Sequence, residues 1–483
     1  MSHARLEMTS RKSRRCIALA LSMVALTTCT NVIAGQEDVL EIGSRLELFV
    51  DDRLIERMEG VTLRLHHPTP REIAVHFDEP WVSQRTSASP ENKFGGFVTV
   101  FPDGDRFRMY YNTDGGTPDV ACCAESSDGI RWTKPSLGLV EFEGSRENNI
   151  VVSGPGAVVF APFKDANPAA PPDQRYKAFA GGGSGLSGLA SPDGIHWEPI
   201  RKEPILTQGP FDSLNLAFWD TIEKRYVCYL REFVDGVRHI RRGTSEDFLN
   251  WNAASPIDLG GATKEHLYTN ATTAYFRAPH VYLAFPMRFV PSRNAVTYNF
   301  GTSGVSDGVF MTSRDGAHWD RRFMEAFIRP GLDQDNWTHR NIITAWGILR
   351  TGKEELSLYY TEHYRHATAR LRRASLRVDG FVSAGAPYRG GELLTKALAF
   401  EGKELVLNYS TSAAGSIRVE ILDAGGQPIS GHALADCPEI YGDQIERVVS
   451  WTGGSDVSQL AGRPIRLRFA MMDADLYSLR FRP

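Results

Sequence analysis

Two carboxylates stand apart in this chain of 483 residues: Asp212, followed by Ser213 and Asn215, and Glu265, followed by His266, Tyr268 and Asn270. Each begins a polar cluster that runs directly into an apolar stretch. A pair of carboxyl groups can divide proton work, one protonated to assist a leaving group and the other ionised to activate water or attack. A third cluster, Asn336, Trp337, His339, Arg340 and Asn341, precedes a further apolar run, and Glu362, His363, Tyr364 and Arg365 follow a strand-like one. The competing reading makes Asp212 and Glu265 loop-end residues that cap turns or pair with arginine. His266 and His339 read as hydrogen-bonding side chains rather than metal ligands, and no Cys/His group has zinc-ligand spacing.

The elements that must position these residues announce themselves by repetition. Ser126-Ser127-Asp128-Gly129-Ile130-Arg131-Trp132 recurs as Ser191-Pro192-Asp193-Gly194-Ile195-His196-Trp197, Ser245-Glu246-Asp247-Phe248-Leu249-Asn250-Trp251 and Ser313-Arg314-Asp315-Gly316-Ala317-His318-Trp319. The pattern is S-x-D-G-x-x-W, with Phe248 in place of Gly in the third copy. A degenerate fifth copy, Val378-Asp379-Gly380-Phe381, follows at a similar interval. Periods of this size signal a repeat architecture. Asp-Gly between apolar runs is a tight turn, because glycine supplies the positive φ. The Trp opens the next strand.

Aromatic and β-branched runs precede each turn, as strands prefer. The first run of each unit is Gly96–Phe101, Ala157–Phe160, Leu214–Trp219, Thr272–Phe276 and Ile343–Leu349. Two more strands and the one opening at Trp make four per unit. The prediction is all-β: a five-bladed β-propeller over 35–388, the radial solution that protects sheet edges, followed by a small C-terminal β-sandwich over 389–483. The repeated aspartates hold turns. The irregular polar residues at the starts of the first strands face the central channel and carry the chemistry.

The ends and the composition bound the setting. Residues 5–15 carry five basic side chains, and the apolar run 16–26 with Val32-Ile33-Ala34 fits an export signal over 1–34. Leu26-Thr27-Thr28-Cys29 offers a rival lipoprotein reading, disfavoured by Thr28. Removing 1–34, with its five bases and one acid, takes the formal charge from −4 to −8. A mildly acidic chain lacks the electrostatic footprint for nucleic acid, and the apolar run is short for a membrane span. Four cysteines remain, Cys122, Cys123, Cys228 and Cys437, too scattered for a disulfide framework. The vicinal pair lies in a strand, where neighbours point to opposite faces, so at least one is a free, packed thiol.

An exported five-bladed propeller with a C-terminal sandwich resembles the glycoside hydrolases of families 32, 43, 62 and 68, and is similar to the family 32 type in layout. The resemblance implies hydrolysis of a glycosidic bond by carboxylates at the channel. In those families the first blade carries one of them, yet Phe94–Phe101 holds no carboxylate, the nearest acid being Glu91. The W-M-N-D-P-N and R-D-P phrases are absent as well; Phe211-Asp212-Ser213 is the closest counterpart of the second. Asp212 and Glu265 are the candidate catalytic pair. Tyr268 and Trp337 suit stacking on a sugar face, while Asn215, His266, Asn270, His339, Arg340 and Glu362 suit its hydroxyls. No cofactor is required; a structural Ca²⁺ in the channel would fit, with no motif demanding it. The shortened phrase also resembles the sialidase Asp-box, but sialidases want six blades and three channel arginines, and only Arg340 stands out here. A non-catalytic carbohydrate-binding propeller is the third reading.

Overall fold

The computed structural model describes residues 39–182, 185–297 and 303–483, so the expected export signal over 1–34 and Cys29 lie outside the described residues. Its local logic starts in the repeated phrase. Ser191 Oγ accepts the amide of Gly194 at 2.8 Å, and Asp193 Oδ1 accepts those of Ile195 and His196, each at 2.9 Å. Trp197 Nε1 donates to the Gly194 carbonyl at 3.0 Å. Asp128, Asp247 and Asp315 accept backbone amides in the same way. Such Asx-type turns offer the backbone its partners locally. The four repeated aspartates are consumed by turns.

These turns sit in five four-stranded antiparallel sheets. The first comprises Phe94–Asp103, Arg106–Thr113, Val120–Ser126 and Ile150–Ser153. The second is Ala161–Lys164, Tyr176–Gly182, Gly185–Ser191 and Glu198–Pro199; the third is Leu216–Asp220, Arg225–Val234, Val237–Ser245 and Ser255–Pro256. The fourth is Thr273–Tyr275, Ala278–Ala284, Met311–Ser313 and Trp319–Asp320. The fifth takes Leu349–Arg350, Glu355–Glu362 and Arg370–Arg377 from the repeat region, and its outer strand, Thr69–His76, from far upstream. First strands of all five sheets line one largely apolar cavity of 570 Å³, floored by Phe101, Phe163, Trp219, Tyr275 and Trp346.

Four expectations need correction, the first being the run Ile343–Leu349, of which only Leu349 enters a strand, Leu349–Arg350. Residues 157–160 do not form the first strand of the second sheet; Pro155–Ala157 is a 3₁₀ turn and the strand begins at Ala161. The fourth strand of the first sheet is Ile150–Ser153 rather than the segment at Trp132, which makes only a bridge from Thr133 to Glu125. The strand after Gly380, Val382–Ala386, leaves the fifth sheet for a ten-stranded one. That large sheet is dominated by Glu404–Asp423 paired with Ile465–Arg482, and also contains the strands of residues 40–65. The N-terminal segment that the sequence reading places at the front of the propeller therefore pairs with the C-terminal one.

Neighbouring sheets are stitched by a recurring contact. Tyr110 of the first sheet donates to the Gly194 carbonyl in the turn of the second at 2.8 Å, and Tyr229 of the third to Gly316 of the fourth at 3.0 Å. Tyr359 of the fifth donates to Gly129 of the first. Each tyrosine also meets the Trp of the same turn edge-on, at 6.2, 5.9 and 5.8 Å. All four described cysteines are free and buried, and burial pushes the thiol of Cys123 up to about 12.

Candidate functional site

Antiparallel pairing brings the starts of the first strands beside the ends of the second strands. Arg231 lies near the end of the third sheet's second strand, and the hairpin that follows returns Arg238 opposite Phe233 in the register. Asp212 precedes the first strand of the same sheet, and its carboxylate pairs with Arg231 Nη1 at 2.8 Å. Asp114 follows the first sheet's second strand and meets Arg340 Nη2 at 3.6 Å; Glu91, before its first strand, meets Arg365 at 3.4 Å. Glu91 and Asp114 thus receive arginines that flank the fifth sheet's strands.

Tyr268 is the centre of the cluster. It is buried, and three guanidinium carbons lie over its ring: Arg238 at 4.9 Å, Arg231 at 5.1 Å and Arg340 at 5.9 Å. Cation–π attraction holds such groups at a ring face. Arg340 Nη1 also donates to the Tyr268 hydroxyl at 3.3 Å. His339 stands edge-on to Phe289 at 5.5 Å, and its imidazole is pushed down to about 3 by burial and by the charges of Arg340, Arg365 and Arg238. Burial and Arg238 also lower His266, whose Nδ1 accepts the Arg238 amide at 3.3 Å. Both histidines are neutral at pH 7.

Backbone strain concentrates in the same place. Arg340, Ile342, His363 and Arg365 all have positive φ, between 54° and 67°. A non-glycine residue there carries a cost that surrounding structure must hold in place, and such residues gather at ligand sites.

The predicted site residues divide. Asp212, Tyr268, His266, His339 and Arg340 come together. Glu265 does not join them: its carboxylate is taken by Arg288 Nη1 at 2.7 Å and Arg321 Nη2 at 3.1 Å. Glu362 is held likewise by Arg370 and Arg372, which keep its carboxyl low against the raising effect of burial. Asn215 and Asn270 are fully buried and spend their amides on backbone carbonyls, Phe211 and Ser213 for one, Leu214 and Tyr229 for the other. Trp337 donates to the Gly331 carbonyl at 2.9 Å, so its indole fastens a loop.

Sequence reasoning missed Arg231, Arg238 and Asp114. Each sits at a strand end or hairpin where an isolated charge reads as solvated surface, and only the pairing register reveals their convergence. Asp333, Asp335 and His363 place ligating atoms within 4.8 Å of one another, yet Asp333 already pairs with His363 and Arg370. Among the described residues no helix is long and apolar enough to cross a membrane.

No family model matches the chain, and no curated protein matches it. It is similar to solved structures of glycoside hydrolases. One, described as a glycoside hydrolase, shares 15% identity over 64% of this chain and 92% of its own, with a TM-score of 0.45. The catalytic domain of a Coprinopsis cinerea family 62 alpha-L-arabinofuranosidase shares 12% over 65% and 98%, at 0.40. A fructofuranosidase from Schwanniomyces occidentalis complexed with fructosylnystose shares 9% over 85% and 98%, at 0.38.

Proposed function

We propose that this chain is an exported carbohydrate-active protein, in which the five sheets are the blades of a β-propeller and the ten-stranded sheet is folded as a sandwich. Its saccharide site is the mouth around Tyr268, and the reaction is glycosidic hydrolysis, with Asp212 and Asp114 as the carboxylates that flank the scissile bond. The observation that supports this most is the convergence around the Tyr268 ring of carboxylates and arginines that flank strands of the first, third and fifth sheets. Asp212 is 70% exposed at its side chain and open to a ligand. No cofactor takes part.

A non-catalytic glycan-binding role is the second reading, and one observation favours it. Asp212, Asp114 and Glu91 are each paired with an arginine, an arrangement suited to fixing guanidiniums. Turnover and binding on a glycan panel separate the two. Hydrolysis that is lost in Asp212→Asn and Asp114→Asn supports the enzyme; binding without turnover in the unaltered protein supports the second reading; neither binding nor turnover on any glycan overturns both.

A further inference from the structure

We infer that the mouth around Tyr268 is an anion-recognition site, so that the saccharide it takes carries a carboxylate or a sulfate ester. This deepens the proposed function and rests on it for the saccharide, but not for the anion. Three guanidiniums gathered on one ring repel one another, and the repulsion must be offset by anions. Arg231 has Asp212 and Arg340 has Asp114. Arg238 has no carboxylate at ion-pair distance among the described residues. Its Nε is buried without a hydrogen-bond partner, and its Nη1 reaches only the neutral His266, at 3.4 Å.

Arg238 is nonetheless held in place. Its guanidinium carbon lies 4.9 Å from the Tyr268 ring centre, 5.1 Å from that of Phe289 and 5.7 Å from that of Phe233. A half-buried cation, fixed by three rings, reached by the Asp212 charge only beyond ion-pair distance and with no carboxylate paired to it among the described residues, is a preorganised receptor for an anion. The guanidinium fork matches the two oxygens of a carboxylate or sulfate, and a charge-assisted pair of this kind is among the strongest polar contacts. The neighbouring His339, kept neutral by burial and by Arg340, Arg365 and Arg238, registers the same unbalanced positive field. Phe233 is 39% exposed beside Arg231 and Arg238 and offers an apolar face to the ring that bears the anion. The chain as a whole is acidic, so the attraction is local to this mouth.

The test is calorimetric titration of the full chain with a uronic-acid oligosaccharide, a sulfated galactan oligosaccharide, the neutral counterpart of each, and free glucuronate and sulfate ion. The inference requires that one charged saccharide bind at least about tenfold tighter than its neutral counterpart, and that Arg238→Gln erase the preference. The two charged arms decide between carboxylate and sulfate. A second readout needs no substitution: by NMR, saturation with the bound anion should raise the titration midpoint of His339, because the anion offsets the arginine charges. Neutral saccharides binding as tightly as charged ones would overturn the anion site and leave the glycan reading standing. Free anions that bind and lift His339, with no oligosaccharide binding, would uphold the anion site and overturn the glycan reading. A His339 midpoint unmoved by every anion would sink the inference even if Arg238→Gln fails to fold.

Discussion

Phe179 and Phe248 stack across the boundary between the second and third sheets, ring centres 5.5 Å apart and planes at 19°. At three other boundaries a tyrosine hydroxyl meets a glycine carbonyl in the same setting. The third copy of the repeated phrase departs from glycine at Phe248, and the second sheet departs from tyrosine at Phe179. The two departures answer each other: the Phe248 ring fills the space in which a tyrosine hydroxyl would otherwise reach the turn carbonyl, and no hydroxyl stands there. Phe248 keeps the positive φ of the turn, 68°, and its carbonyl still accepts Trp251 Nε1 at 2.8 Å.

The pair should therefore behave as a unit. Phe248→Gly should cost roughly 3–5 kcal/mol as a large buried side chain disappears. Phe179→Tyr alone should cost about 1–3 kcal/mol by pressing a hydroxyl against an aromatic face. The double variant, which restores the tyrosine and glycine of the other boundaries, should recover at least about 1 kcal/mol over the sum. Denaturant midpoints of the four proteins measure this, and simple additivity would refute the exchange.

Glu47 governs acid stability at the junction of the large sheet and the fourth small one. It is fully buried and meets Arg314 at 2.8 Å and His280 at 3.2 Å. Burial alone would raise its carboxyl, but these partners outweigh it and hold the group at about 2. A carboxyl lower in the folded than in the unfolded chain contributes stability above its unfolded value of 4.5, lost as pH falls towards 2. The contribution is about 3 kcal/mol. Glu47→Gln should be less stable than the parent at pH 7, and the gap should narrow between pH 4.5 and 2 in thermal melts. A gap independent of pH would exclude this role.

At the mouth, Asp212→Asn should lower turnover by about 10²- to 10⁴-fold if its carboxylate takes part in the reaction. Glu265→Gln should leave turnover intact and instead lower stability by about 1–3 kcal/mol, since Arg288 and Arg321 lose a shared charge. Kinetics and melting on both variants separate the two roles; a turnover defect confined to Glu265→Gln would reverse the assignment.

Gly347 makes a backbone approach that no other residue allows. Its φ is +118°, and an added Cβ would be driven into the carbonyl oxygen of Val100. This is where the fifth sheet clasps the first, through Trp346 to Val98 and Val100 to Trp346, both at 2.8 Å. Gly347→Ala should cost more than about 3 kcal/mol. An unchanged melting temperature would show that the clasp yields.

What could be read from the sequence was local. Within seven residues Ser191 and Asp193 accept the amides of the turn and Trp197 donates to the Gly194 carbonyl, so the turn and its recurrence need no tertiary knowledge. Asp212, Tyr268 and Arg340 were visible as candidates because they break the repeat. Arg238 was not, since in Val237–Ser245 it alternates with other charges like any solvated strand, and only its register opposite Phe233 delivers it to Tyr268. Asn215 and Asn270 looked like ligand groups because sequence shows an amide before an apolar run, not the backbone carbonyls that claim it. Glu265 misled for the same reason: Arg288 and Arg321 lie 23 and 56 residues downstream.

Thr69–His76 completes the fifth sheet by pairing with Arg370–Arg377, Thr69 lying opposite Ser375. During synthesis that strand emerges early and its partner some three hundred residues later. Until then the early strand has nothing to join. Closing so long a loop makes the final pairing slow and leaves open β edges exposed meanwhile. Maturation of this protein is therefore coupled to the arrival of its last third, and a cut near either end of the chain is felt at the other.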